Sequence, residues 1–126
     1  MEISRTGIIL NTENYEACVS FYQRIFGLSV MFKKEEGAFK LTCFRFGGSY
    51  LMIENDGVAK PQGKSVAENS TKLRFHVENI SKTLQQLKYH GIDARIEEYE
   101  WGTTINIFDP DGNRIGIRDE AKFLVK

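Results

Sequence analysis

The feature that most constrains this chain is a long internal repeat in two copies. Asn14 and Asn79 each stand as a helix N-cap before an apolar-striped run, 79 − 14 = 65 residues apart. Gly27 and Gly91 close those runs at 91 − 27 = 64, and Gly48 and Gly112 turn the strands that follow at 112 − 48 = 64. Solenoid repeats are shorter and more numerous, so this period points to two similar strand-helix-strand-strand-strand modules that pair with one another.

The clearest unit within the repeat is Trp101 to Asp119. Thr103 to Phe108 alternates as a strand does, Asp109-Pro110-Asp111-Gly112-Asn113 supplies turn chemistry, and Arg114 to Arg118 alternates around Ile115 and Ile117. Leu41 to Glu54 has the same plan around Gly47 and Gly48. In chain order the reading is a strand over Ile3 to Leu10, then a helix striped by Cys18, Val19, Tyr22, Ile25 and Phe26. Strands follow at Ser29 to Phe32, Ala38 to Phe46 and Ser49 to Glu54, with Lys33 to Gly37 read as a charged turn. The second copy has a strand over Lys72 to Val77, a helix carrying Ile80, Leu84 and Leu87 with His90 as a capping residue, and strands at 94–98, 103–108 and 114–118. The expected organisation is a single domain over 1–126: module one about 1–55, a surface linker about 56–70, module two about 71–119, and a tail over 120–126.

Composition removes several classes of function. Lys plus Arg and Asp plus Glu are each 17, so net charge gives no case for a nucleic-acid partner or an anionic membrane. A basic leader followed by an apolar run is absent, as is any apolar stretch of bilayer length, and the expectation is a cytoplasmic protein. Cys18 and Cys43 lie apart in apolar contexts, as reduced, buried thiols do. The chain has no Gly-x-Ser-x-Gly, phosphate loop, dinucleotide fingerprint or His-Glu-x-x-His, the minimum equipment of other common chemistries.

One helix covers one sheet face, so each module leaves the other face to line a cavity. Alternation assigns Ile8, Leu10, Leu51, Ile53, Leu73, Phe75, Val77, Ile115 and Ile117 to the helix side. Opposite them stand Arg5, Gly7, Ile9, Tyr50, Met52, Glu54, Lys72, Arg74, His76, Arg114, Gly116 and Arg118, with five fixed cations against one carboxylate. Arg5 and Arg118, at strand ends, are expected to face water. Lys72 and Arg74, beside Gly7 or Gly116, are expected to form a cationic wall. Trp101, Tyr50, Phe44 or Phe46 supply stacking walls or core.

Two stretches carry a family likeness: Asn14 to Leu28, with Phe21-Tyr22 and Phe26-Gly27-Leu28, and Trp101-Gly102 followed by Phe108-Asp-Pro-Asp-Gly-Asn113. On these the chain resembles, over almost its whole length, the vicinal oxygen chelate superfamily of glyoxalase I, fosfomycin-modifying enzymes, extradiol dioxygenases and metal-free bleomycin-binding proteins. The resemblance implies an α+β fold of two tandem βαβββ modules with curled mixed sheets, often a homodimer. In the family's enzymes it implies a divalent metal held by His or Glu from the first and last strands of the modules.

Here the chain departs from the enzymes, because the four corresponding positions are Gly7, Met52, Lys72 and Gly116, with 72 − 7 = 65 and 116 − 52 = 64. Glycine has no side chain, a thioether is too soft for an oxygen-preferring ion, and lysine is a cation. A register shift of two brings in Glu54 and a shift of four His76, half a site at most, and His76 is read as a wall or rim residue. The expectation is a metal-free, cofactor-free homodimer that binds a small organic ligand, anionic or aromatic, through Ile9, Phe44, Tyr50, Met52, Glu54, Lys72, Arg74, His76 and Trp101. The alternatives are a metal-dependent lyase, isomerase or dioxygenase of the glyoxalase type, and a metal-independent acid/base enzyme using Glu54 or His76.

Overall fold

The computed structural model describes residues 1–124, so positions 125 and 126 of the expected tail lie outside the described residues. The elements are β1 (Gly7–Asn11), α1 (Tyr15–Arg24), β2 (Val30–Glu36), β3 (Phe39–Phe46), β4 (Ser49–Glu54), β5 (Leu73–Val77), α2 (Ile80–Tyr89), β6 (Glu97–Tyr99), β7 (Gly102–Phe108) and β8 (Arg114–Asp119). They form two compact units, Met1–Lys60 and Pro61–Lys126. No helix among the described residues is long and apolar enough to cross a membrane.

Each unit is one four-stranded sheet, in the order β1-β4-β3-β2 in the first and β5-β8-β7-β6 in the second. First and last strands pair in parallel, β1 with β4 and β5 with β8, and the other pairs are antiparallel. The α+β class and the mixed sheets of the two-module reading are thus observed. Ile8 pairs with Leu51 and Leu73 with Ile115, separations of 51 − 8 = 43 and 115 − 73 = 42. The missing residue lies at the helix end, since Gly27 is three residues past Arg24 and Gly91 is two past Tyr89. Both glycines take the left-handed conformation that a side chain resists, with φ of 64° and 78°. In the second unit Gly91 N–H donates to Lys88 O (3.0 Å) and Ile92 N–H to Leu87 O (2.9 Å), a tight Schellman closure. The looser first closure sends Leu28 N–H to Tyr22 O at 3.2 Å.

Alternation puts Leu51 and Ile53 of β4, Ile105 and Ile107 of β7, and Ile115 and Ile117 of β8 on the helix side, where α1 packs on β4 and α2 on β7 and β8. In the first unit Leu10, Phe44, Leu51 and Ile53 are buried with Cys18, Val19 and Tyr22. In the second Leu73, Ile105, Ile107, Ile115 and Ile117 are buried with Leu87.

Four details differ from the sequence reading. β1 begins at Gly7, leaving Ile3 70% exposed and unpaired in the sheet. Lys33 to Glu36 are strand, with Lys33 opposite Thr42 and Glu35 opposite Lys40, and the turn is centred on Gly37 at φ 62°. β2 is a sheet edge, and charge on an edge discourages further pairing, so the charges that resembled a turn are edge protection. β6 is only Glu97–Tyr99. Finally, Asn79 caps α2 by accepting Lys82 N–H at 3.0 Å, whereas the Asn14 side chain makes no capping bond and the helix starts from its carbonyl, which accepts Cys18 N–H at 3.0 Å.

The turn before β8 is held by one buried carboxylate. Asp109 Oδ1 accepts the N–H groups of Asp111 and Asn113, and Oδ2 accepts Asn113 Nδ2, each at 2.9 Å. Asn113 Oδ1 in turn accepts Lys64 Nζ (3.1 Å) and Asn69 Nδ2 (2.9 Å), so the sequence-irregular connection is tied to this turn. Asp109→Ala leaves buried donors without an acceptor and is expected to cost about 2–4 kcal/mol, read as a lower urea midpoint at unchanged slope.

Candidate functional site

The two sheets use their uncovered faces differently. In the first, Ile9, Met52 and Cys43 form one row across neighbouring strands. Ile9 is 52% exposed, while Tyr50, Met52 and Glu54 are half-buried. The Tyr50 ring lies across Gly7, where an added Cβ would run into it. Cys43 is a free, buried thiol that burial pushes up and Arg5 draws down, so it is not a poised thiolate. Phe44 corrects the sequence reading: it pairs with Leu51, is wholly buried on the helix side, and takes no part in the open face. Phe46, two residues on, shares that side.

In the second sheet the open face is cationic. Arg74, Gly116 and Asn106 form one row, and His76, Arg118 and Thr104 the next. Gly116 is the bare spot on which the row closes, because an added Cβ would meet Arg74 Nη1 and Lys72 Cε, each at 2.9 Å. Of the two glycines weighed beside Lys72 and Arg74, Gly116 is the neighbour. Lys72 Nζ donates to Asn106 Oδ1 (2.9 Å), and Arg74 Nη1 lies 3.4 Å from Thr104 Oγ1. Arg114 donates from Nη2 to Asn69 O (3.0 Å), and its buried Nε has no partner among the described residues.

Arg118 departs from its expected place in water. It is 6% exposed and donates from Nη2 to Trp101 O (2.9 Å) and from Nε to Asp119 O (3.0 Å). Its guanidinium lies 5.1 Å from the Trp101 ring centre and 5.2 Å from that of Phe123. Trp101, 46% exposed, stacks on Tyr99 at 5.1 Å, and the Arg74 guanidinium is 5.9 Å from its ring.

The partners of Lys72 and Arg74 are neutral, and this sets the electrostatics. Burial pushes the Lys72 ammonium below the usual lysine range, Arg74 and Arg114 push the same way, and Glu97 opposes them. Burial and then Arg118 lower Arg74 as well, though a guanidinium stays protonated. Glu97 reaches Lys72 only through Asn106, whose Nδ2 donates to Glu97 Oε2 at 2.8 Å; that bond is the first cause holding Glu97 below the usual carboxylate range.

His76, read from the sequence as a wall or rim residue, is exposed on the open face beside Arg118. Its Nδ1 is 3.0 Å from Glu120 Oε1, and its ring meets the Phe123 ring edge-on at 4.4 Å. A cleft of about 380 Å³ lies alongside, lined by Trp101, Arg118, Phe123, Glu100 and Lys122. Asn106, Glu97, Glu120 and Phe123 escaped the sequence reading. Asn106 could have been found, since it stands between Ile105 and Ile107 as the open-face residues of other strands stand between apolar ones. Phe123, in a tail without period, carried no such signal.

The donor set does not fit the metal that the resemblance implies for the family's enzymes. The space at Gly7 is filled by Tyr50, and that at Gly116 by Lys72 and Arg74. Lys72 brings positive charge where a ligand must bring a lone pair. Among the described residues, no three His, Cys, Asp or Glu side chains come together as a set able to hold an ion.

Comparison with known proteins bears on the same residues. The model of the Glyoxalase/Bleomycin resistance protein/Dioxygenase superfamily matches residues 4–117. Among solved structures, the lactoylglutathione lyase from Agrobacterium tumefaciens is similar at a TM-score of 0.72 and 18% identity, over 99% of this chain and 98% of that one. The fosfomycin resistance protein FosX from Listeria monocytogenes is similar at 0.75 and 14%, over 94% of each chain. A mutant of that protein, complexed with Mn(II) and 1S,2S-dihydroxypropylphosphonic acid, is similar at 0.74 and 15% over 100% of both. No curated protein matches. At these identities the structures establish the fold alone.

The crowded ammonium yields a stability prediction. A lysine whose folded pKa lies below its unfolded value contributes nothing above the ordinary lysine range, about 10.4, and destabilises fully once pH has fallen below the depressed value. Because Lys72 is solvent-exposed, screening keeps the effect small. Lys72→Met is expected to raise Tm at neutral pH by about 1–3 °C, a gain that shrinks with added salt and fades as pH climbs through the lysine range. A lower Tm at neutral pH would instead show that the bond to Asn106 outweighs the repulsion.

Proposed function

The chain belongs to the glyoxalase/bleomycin resistance protein/dioxygenase superfamily, and we propose that it binds a small organic anion on the open face of its second sheet without a metal. The observation that carries this reading is the convergence of Lys72 and Arg74 over Gly116 with only neutral hydrogen-bond partners among the described residues. A carboxylate or phosphate placed there exchanges a neutral partner for a charge-assisted one and relieves the mutual repulsion of the cations. Arg114, with a donor unspent, lies on the same side. Trp101 supplies a flat wall reached by Arg74, and His76 the rim. The first sheet contributes an apolar surface through Ile9, Tyr50 and Met52, with Glu54 beside them. Homodimer assembly belongs to the same proposal, since Ile9 and Phe32 leave 52% and 48% of their surface exposed on that face.

The metal-dependent alternative rests on the relatives, one of which is captured with Mn(II), and meets side chains here that suit an anion better than a cation. The acid/base alternative draws on one observation, the His76–Glu120 pair at 3.0 Å, which orients an imidazole as enzymes orient a general base.

Thermal shift with benzoate, phenylphosphonate and inorganic phosphate tests the reading. A ligand at a hundredfold excess over its Kd adds about 2.7 kcal/mol, a shift of several degrees in Tm. Lys72→Ala and Arg74→Ala are each expected to weaken binding tenfold or more, about 1.4 kcal/mol, with the affinity falling as salt rises. Binding that is lost on chelation and restored by one divalent ion per subunit would overturn the metal-free reading. Turnover that tracks the titration of His76 would favour the acid/base one.

A further inference from the structure

We infer that the anion carries an aromatic ring and that this ring takes the place now held by Phe123, so that residues 120–124 form a strap which the ligand displaces. The inference rests on the cationic-face reading above and adds the ligand's other half. β8 ends at Asp119, and the chain is pinned at the next residue: Glu120 N–H donates to Val77 O (2.9 Å) and its carboxylate holds His76. A short turn, Phe123 N–H to Glu120 O at 3.0 Å, then carries the phenyl ring back against the sheet. There it meets the imidazole of His76 edge-on at 4.4 Å and lies 5.2 Å from the Arg118 guanidinium, which is also 5.1 Å from the Trp101 ring. This part of the face therefore accepts a flat aromatic group, and the protein's own tail provides one.

The hold is shallow. Phe123 remains 53% exposed and Leu124 76%, so the ring recovers only part of what full burial supplies. Within residues 120–124 the carboxylate, Glu120, is engaged by His76, and among the described residues Lys72 and Arg74 keep neutral hydrogen-bond partners. A free aryl anion reproduces the ring contacts and adds the missing charge. Arg74 spans the two parts, with Nη1 over Gly116 near Lys72 Cε and its guanidinium 5.9 Å from the Trp101 ring. The adjoining cleft, about 380 Å³, falls in the range of small-molecule sites.

Trp101 is the only tryptophan, which makes its fluorescence a reporter within the site. The whole protein is titrated with phenylacetate, and with cyclohexylacetate and acetate as controls, as wild type and as the variants Phe123→Ala and Lys72→Ala. Phenylacetate is expected to change the emission saturably and to bind Phe123→Ala about 3–10-fold more tightly, since a competing occupant has been removed. It should bind Lys72→Ala at least tenfold more weakly than wild type, and acetate and cyclohexylacetate should bind every form less well. Equal or weaker binding to Phe123→Ala, with unchanged circular dichroism, overturns the strap, and if Lys72→Ala still loses the probe the anion reading stands without it. Tighter binding to Phe123→Ala together with wild-type binding to Lys72→Ala overturns the anion reading and keeps only the ring exchange. Cyclohexylacetate binding as well as phenylacetate removes the aromatic requirement.

Discussion

A four-stranded sheet with one ten-residue helix against it has a face that its helix does not cover, and the rest of this structure follows from how that face is filled. Because side chains alternate along a strand, burying Leu51, Ile53, Ile115 and Ile117 under the helices commits their neighbours to the other side. The repeat makes the two outcomes comparable position by position. Gly7 beside Tyr50 in the first sheet corresponds to Lys72 beside Arg114 in the second, and Ile9 beside Met52 to Arg74 beside Gly116. The parallel pair of each sheet thus keeps one glycine on the open face, on opposite strands, and drapes a longer chain over it: a phenol ring in the first, two cations in the second.

What could be read in advance divides along the same line. The helices, the parallel-plus-antiparallel plan and the glycine closures were legible because they rest on period, cap and turn chemistry, which act over a few residues. The one-residue discrepancy in the repeat was visible as 65 against 64, but only the geometry placed it in the helix closure before Gly27. Lys33 to Glu36 misled because a charged edge strand and a charged turn share a composition. Phe44 misled because an aromatic residue in a strand can serve either face, and its pairing with Leu51 decides the matter. Arg118 misled most, since a strand-end arginine ordinarily points to water and nothing in the chain announces that Trp101 O and Asp119 O will receive it.

Arg118 and Lys72 share a sheet face and a sign of charge, yet their surroundings differ. Arg118 is buried, bonded to two backbone carbonyls, 3.7 Å from the Asp119 carboxylate and flanked by two rings. Asp119 is itself held low, first by the Thr103 N–H and then by Arg118, so that pair is complete. Lys72 and Arg74 make contacts that position them without neutralising them. Like charges converging on one patch of sheet lower stability.

An ammonium where the resemblance implies a metal ligand keeps the sign of the ion and discards its coordination chemistry. A divalent ion offers vacant positions that can take two oxygens of one substrate and draw electron density from both. Lys72 offers three hydrogen-bond donors, one already given to Asn106, and Arg74 adds a planar fork, which suits a single anionic group and offers no empty orbital. The same replacement alters what the surrounding face must do. On the proposed metal-free reading, selectivity comes from shape and from rings, and those are what Trp101 and the Arg118 guanidinium against it supply beside the charge once Phe123 has left. The second module keeps its relatives' architecture, and on the proposed reading the affinity of its site is carried by side chains alone, a basis better suited to holding a ligand than to transforming it.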